Sequence, residues 1–158
     1  MVVEFGNYTI DVDVEKTREF YLTAASVTER CSCDGCLNYE KAVDVLPASI
    51  KAFFDNLGID MKKVCECYVI TTNKDGTLLY GGFYHICGSV ITGESAWQRV
   101  SDNHSVWNDE AWFAVTDCFH VSFQHDVHLL EDKFPLPVIQ LEFSADIPWV
   151  LDKKNTYV

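Results

Sequence analysis

The sequence is short of positive charge, of proline and of long apolar runs, and each shortage excludes something. Its 158 residues carry 12 lysines and arginines against 24 aspartates and glutamates, a formal net charge of −12. Binding a nucleic-acid backbone needs clustered lysine and arginine, so no nucleic-acid partner is expected. No stretch approaches the roughly 18 consecutive apolar residues that span a bilayer, and no membrane partner is expected. Met1-Val2-Val3-Glu4-Phe5 lacks the basic segment and apolar core of an export signal, which points to a cytoplasmic chain. There are only four prolines and no low-complexity tract, internal repeat or Pro/Ser-rich linker. A single domain over residues 1–158 is therefore the simplest organisation. No complete catalytic signature is present.

What is present is apolar, aromatic and rich in cysteine. Hydrophobic residues make up 48% and charged residues 23%, which suits a soluble globular protein that buries a core, not an acidic disordered tail. The charge is uneven. Residues 1–79 hold 8 basic and 13 acidic side chains, whereas residues 80–152 hold only Arg99 and Lys133 against 11 acids. The second half thus presents an anionic surface, which serves solubility or docks a protein partner with a basic surface.

Local patterns divide the chain into a helical part (about 13–60) and a β-rich part (about 65–150). Val2 to Val12 reads as a hairpin turned at Gly6-Asn7. Asp13 caps a helix over Val14 to Leu22 or slightly beyond, and Leu37 to Val43 is helical. Pro47 opens a helix in which Ile50, Phe53, Phe54 and Leu57 form one apolar stripe, and Gly58 stops it. From Cys65 the period becomes two. Tyr68–Thr72 and Thr77–Tyr80 flank the turn Asn73-Lys74-Asp75-Gly76, Gly81-Gly82 marks a bulge or bend, and Phe83–Ile91 continues the strand. Ala111–Gln124 and Val138–Phe143 read as further strands, while residues 93–110 and 125–137 read as polar connections. Helices first and strands last predict an α+β fold, in which the hairpin and short helices pack on an antiparallel sheet formed mainly by residues 65–145.

Seven cysteines is an odd number, and without an export signal they read as reduced thiols. Cys31-Ser32-Cys33-Asp34-Gly35-Cys36 is the most specific local pattern. A tight Cys-x-x-Cys turn brings two sulfurs toward the ~3.8 Å separation that tetrahedral zinc requires. Cys36 is expected at a helix N-terminus, where the dipole lowers a thiol's pKa. Cys65 and Cys67 offer the rest of a site. In an extended strand they share a face with Cα atoms ~6.5–7 Å apart, too far for both to ligate one ion unless the backbone kinks there. The expected metal site is therefore Cys31, Cys33 and Cys36 with either Cys65 or Cys67, holding a structural zinc. The same cysteines also read as ordinary half-buried thiols, or as a dithiol redox pair at Cys33/Cys36, for which Val27–Arg30 is a weak candidate for the preceding core strand.

A second constellation comes from two strands that alternate alike. His85 and Cys87 share one face, as do Cys118 and His120. If the strands pair, these four form a thiol/His catalytic pair or a second metal site; otherwise they are one polar face of an ordinary half-buried sheet. Trp97, Trp107, Trp112 and Trp149 are expected in the core, although Trp97 and Trp107 bracket a polar loop and suit a binding surface.

The pieces Cys33-Asp34-Gly35-Cys36-Leu37-Asn38-Tyr39, Leu46-Pro47 and Leu57-Gly58-Ile59-Asp60, with Tyr80-Gly81-Gly82-Phe83-Tyr84-His85 and the Pro148-Trp149 end, carry a resemblance to a family. The chain resembles an uncharacterised family of small bacterial cytosolic proteins with a Cys-x-x-Cys-x-Asn-aromatic motif, a Leu-Pro helix and a β-rich second half. That resemblance implies no activity. The Leu46-Pro47 helix is also similar to the Leu-Pro-initiated helix of toxin-neutralising immunity proteins. The expected function is accordingly binding or interaction with a structural zinc. The alternatives are a thiol/His-dependent hydrolase, a dithiol redox enzyme, or an acidic immunity-type protein that neutralises a basic partner.

Overall fold

The computed structural model describes residues 1–158, the side chain of Asp109 excepted. The opening hairpin is β1 (Val2–Phe5) and β2 (Tyr8–Val12). Asp13 then caps α1 (Val14–Thr23), its carboxylate accepting from the Lys16 N–H at 3.0 Å. Two short helices follow, α2 (Val27–Arg30) and α3 (Asp34–Ala42). Next comes α4 (Ala48–Asn56), with Pro47 at its N-cap and Gly58 at φ +82° beyond its end. The β-rich part begins with β3 (Glu66–Thr72) and the long β4 (Leu78–Thr92).

Two expectations for the second half change. The connection over residues 93–110 contains a separate hairpin of β5 (Trp97–Ser101) and β6 (His104–Trp107). The run Ala111–Gln124 is not one strand. It breaks at Asp117-Cys118 into β7 (Phe113–Thr116) and β8 (Phe119–Gln124), which pair antiparallel. A tight polar turn inside a long alternating run lets the chain fold back on itself without disturbing the alternation on either side. The last strand is β9 (Val138–Ile147).

These strands form one antiparallel sheet in the order β1-β2-β4-β9-β8-β7, with β3 also on β4. Four helices pack on it, and the architecture is α+β. No helix among the described residues is long and apolar enough to cross a membrane.

The two faces of the sheet differ in chemistry. One face carries Tyr80, Tyr84 and Ile86 of β4, Leu141, Phe143 and Ala145 of β9, and Phe119, Val121 and Phe123 of β8, all buried. Tyr39 of α3 and Phe54 of α4 pack among these rings. Fully burying each such side chain contributes roughly 1.5–3 kcal/mol, so this aromatic layer is the main source of stability. The other face buries polar groups: His85, Gln140, Glu142, Ser122 and Gln124. It is closed by the β4–β5 and β8–β9 connections. Ala96 N donates to Ser122 Oγ at 2.8 Å, and His128 N donates to Gln140 Oε1 at 2.7 Å.

Gly81 and Gly82 do not form a bulge. Both lie in regular register between β3 and β9, and the irregularity falls instead between Val69 and Thr71. The glycines answer a need for space. A Cβ at Gly81 would lie 2.7 Å from the Tyr68 ring, and one at Gly82 would lie 2.3 Å from the Glu66 carbonyl and 2.7 Å from the Phe143 ring.

β2 and β3 share one edge of β4 and leave a gap around His85–Cys87. Helix α1 fills it with side chains in place of a strand. Tyr21 Oη donates to the His85 carbonyl at 2.8 Å and accepts from the His85 N–H at 3.2 Å, while Thr17 Oγ1 accepts from the Cys87 N–H at 3.0 Å. Tyr21→Phe keeps the ring but leaves two buried backbone groups without partners. It is expected to cost about 2 kcal/mol in urea unfolding; a change under 0.5 kcal/mol, roughly the scale of a surface substitution, would show that the hydroxyl does not seal the edge.

Candidate metal centre

The cysteine cluster is assembled by two helix ends. Helix α2 opens with a Ser26/Glu29 capping box and closes at Cys31, whose N–H donates to the Val27 carbonyl at 2.9 Å. Helix α3 opens immediately afterwards, with Cys33 in the N-cap position, where its sulfur accepts from the Cys36 N–H at 3.5 Å. Cys36 occupies the third position of that helix, facing inward. The short link between the helices therefore folds three thiols into one corner. The ligand atoms of Cys31, Cys33 and Cys36 all lie within 4.8 Å of one another, and this group could hold a metal ion. Cys31 Sγ and Cys33 Sγ are 3.2 Å apart.

β3 decides between the two remaining candidates. Cys67 lies within the strand on the helix-facing side, and its sulfur is 4.0 Å from Cys36 Sγ. Cys65 precedes the strand at a bend, and its thiol turns away to the Leu129 carbonyl at 3.6 Å. Cys65 is therefore not brought to the cluster. All seven cysteines are free thiols.

Electrostatics at the cluster run against the dipole expectation. The neighbouring Cys67 thiol and burial push the Cys36 thiol well above its ordinary value, so the helix N-terminus is outweighed. Burial likewise pushes Cys33 up to about 11. Cys31 goes the other way, held below its usual value by backbone donation from Cys33. Crowded, half-buried thiols of this kind keep their protons unless a cation takes their charge, and a metal deprotonates the thiols it binds. The dithiol alternative loses its supporting element, because Val27–Arg30 is a helix and not the preceding core strand.

Residues without a cysteine motif hold this corner rigid. Tyr80 Oη donates to the Gly35 carbonyl at 2.8 Å, and the Gly35 N–H donates to Tyr157 Oη at 2.9 Å. Asn38 is fully buried; its amide donates to the Pro148 carbonyl at 3.1 Å and accepts from the Val150 N–H at 2.7 Å. Arg30 bridges to the Val64 and Cys65 carbonyls at 2.5 and 3.1 Å, tying α2 to the approach of β3. Sequence reasoning missed this set. The available signal was Asn38 itself, a polar residue three from Gly35 and four from Ala42 on the inward stripe of α3. Asn38→Ala leaves two part-buried backbone groups unpaired and is expected to cost about 1–2 kcal/mol, read as a lower urea midpoint with an unchanged slope.

The chain matches no known protein family, no curated protein and no solved structure. The resemblance expected from the short motifs finds no counterpart in these comparisons.

The second constellation does not assemble. Strand β9 lies between β4 and β8. His85 stands opposite Gln140 and His120 opposite Ser144, so the two are two strands and four residues apart, about 16 Å. Alternation fixes which face a residue takes, but not which strand becomes its neighbour. His85 is buried, its Nε2 is 3.2 Å from Gln140 Oε1, and burial lowers its pKa. Cys87 is buried and its thiol is pushed up by burial. Cys118 is exposed on the β7–β8 turn, and His120 meets the edge of Trp112 at 5.1 Å. None of the four tryptophans is in the buried core. Trp149 packs beside Tyr157, and the other three gather on the polar face of the sheet.

Proposed function

We propose that the protein is a binding protein in which Cys31, Cys33, Cys36 and Cys67 hold a structural zinc ion. The observation that carries this is the spacing of the sulfurs: three thiols within 4.8 Å of one another, and a fourth 4.0 Å from Cys36. Four thiolates around zinc at ~2.3 Å lie ~3.8 Å apart, close to the Cys36–Cys67 separation of 4.0 Å, and Cys67 would have to draw nearer to the other two thiols to close the shell. Four protein ligands leave no open position for substrate, which makes the role structural. The ion would join the α2–α3 corner to β3, two parts otherwise linked by Arg30 and by packing.

The partner is a protein with a basic surface. Asp102, Glu110, Asp117, Asp126 and Glu131 are exposed across the second half, and that surface attracts positive charge while repelling nucleic acid and anionic lipid. Elemental analysis of protein purified under reducing, chelator-free conditions tests the metal directly. One zinc per chain is expected, retained in Cys65→Ser and lost from Cys67→Ser. Protein that is zinc-free under those conditions ends the proposal, as does equal loss from both variants.

A further inference from the structure

On the sheet face opposite the cysteines, the β5–β6 hairpin folds over β3 and β9 and encloses a cleft of about 310 Å³. Its walls are Trp97, Trp107, Trp112, Tyr68 and Ile70, and Glu142 lies in its floor. The tryptophans meet edge to face. Trp97 and Trp107 are cross-strand partners with ring centroids 4.9 Å apart at 81°, and Trp107 meets Trp112 at 4.2 Å and 77°. Successive rings at near right angles make corners of aromatic surface. The indole nitrogens of Trp107 and Trp112 are closed to solvent and have no hydrogen-bond acceptor among the described residues, so those donors do not line the open space.

The floor is the unusual part. Glu142 is 6% exposed, and its Oε1 accepts from Gln140 Nε2 at 2.6 Å. Among the described residues it takes part in no ion pair. A carboxylate buried against aromatic walls with no cation beside it is costly by itself, and a positive charge entering from outside would offset that cost. The walls select the kind of cation. An ordinary ammonium or guanidinium needs several acceptors to replace its water, and this apolar cleft does not provide them. An alkylated ammonium has few or no N–H groups to satisfy, and it is drawn to the faces of tryptophan and tyrosine.

We infer that this cleft binds a methylated ammonium group, with Glu142 as its counter-ion and the tryptophans as its cage. The placement of β3 supports it. Tyr68 lies over the sheet only because Gly81 leaves room, while the next residue back, Cys67, faces the metal cluster. The inference is independent of the zinc proposal, since the two sites occupy opposite faces of the sheet.

Tryptophan fluorescence and calorimetric titration of the intact chain test it, using choline, tetramethylammonium and the neutral choline isostere 3,3-dimethylbutan-1-ol. Choline is expected to bind at least about tenfold more tightly than the neutral alcohol. Glu142→Gln should weaken choline by about tenfold and the alcohol by less than about twofold, and Trp97→Leu should weaken choline similarly. A short peptide carrying trimethyllysine, run beside free choline, separates a protein tail from a small molecule as the natural source of the group. Equal binding of choline and its neutral isostere by the unaltered protein would overturn the inference. So would the absence of saturable binding by any of the cations up to about 50 mM.

Discussion

Removing the proposed zinc ion with a strong chelator under reducing conditions is expected to destabilise the protein by about 5 kcal/mol, a fall of roughly 10–20 °C in melting temperature. The size follows from what the proposed ion joins. Cys31, Cys33 and Cys36 lie at the junction of α2 and α3, whereas Cys67 lies on β3, 31 residues beyond Cys36. Without the ion, Cys31, Cys33 and Cys36 crowd one another and Cys67 faces Cys36 in a partly buried corner. Small zinc domains unfold when their metal leaves. Outside this corner the chain has an aromatic core of Phe54, Tyr84, Phe119 and Phe143, so the stripped protein should remain folded, with the corner loosened first. Hydrogen exchange should therefore rise at residues 27–42 before the sheet responds. Cys36→Ser and Cys67→Ser should reproduce the loss without chelator, while Cys65→Ser and Cys118→Ser should change stability by less than about 0.5 kcal/mol. A melting temperature indifferent to chelation, in protein shown to have contained the metal, would mean that the ion fastens nothing.

Glu142→Gln is expected to stabilise the protein at pH 8 by up to about 3 kcal/mol, an advantage that vanishes near pH 4.5. Burial pushes the Glu142 carboxyl up to about 7 from its ordinary 4.5, the side chains of Gln140 and Trp97 offset part of this, and Glu66 adds a little more. A carboxyl whose folded pKa is raised favours the fold while it is protonated. That contribution is complete below about pH 4.5 and is lost as pH rises through 7. His85, linked to Glu142 through Gln140, acts in the opposite sense. Its pKa is lowered by burial, so acid conditions penalise the fold through His85. His85 is present in both proteins, and the difference between wild type and variant isolates Glu142. The substituted amide keeps the volume of the carboxyl, and its oxygen can still accept from Gln140. Urea unfolding of both proteins at pH 8, 6.5 and 5 makes the comparison; a gap that does not change with pH would show that Glu142 is ionised throughout.

The parts of the fold that were legible before the structure are local. The hairpin closed at Gly6-Asn7, the helix begun by Asp13 and the helix between Pro47 and Gly58 each rest on residues within a turn or two of one another. The alternation of β4, β8 and β9 was legible for the same reason, since each strand carries its own record of which side is buried. The breaks at Asp117-Cys118 and within residues 93–110 were not. Polar turns in an alternating run leave the pattern intact, and the 97–107 hairpin has little core of its own to give it an apolar period. Gly81-Gly82 was visible as special, but its cause lies on two other strands, where Tyr68 and Phe143 need the room.

The candidate site divides along the same line. Cys31, Cys33 and Cys36 were recognisable because their spacing is itself a local geometry. Cys65 and Cys67 were indistinguishable, because two residues of one strand differ only in where the strand begins. His85, Cys87, Cys118 and His120 looked like a constellation for as long as β4 and β8 could be neighbours, and β9 between them removes it. By itself the sequence determined the acidity, the α+β order of elements and the three-thiol turn, all set by composition or by contacts within a few residues. Only the tertiary structure decided which of the two thiols lies beside Cys36, and that three tryptophans meet over a buried glutamate. Both depend on which strands become neighbours, and strand order is settled by long-range packing that no local period encodes.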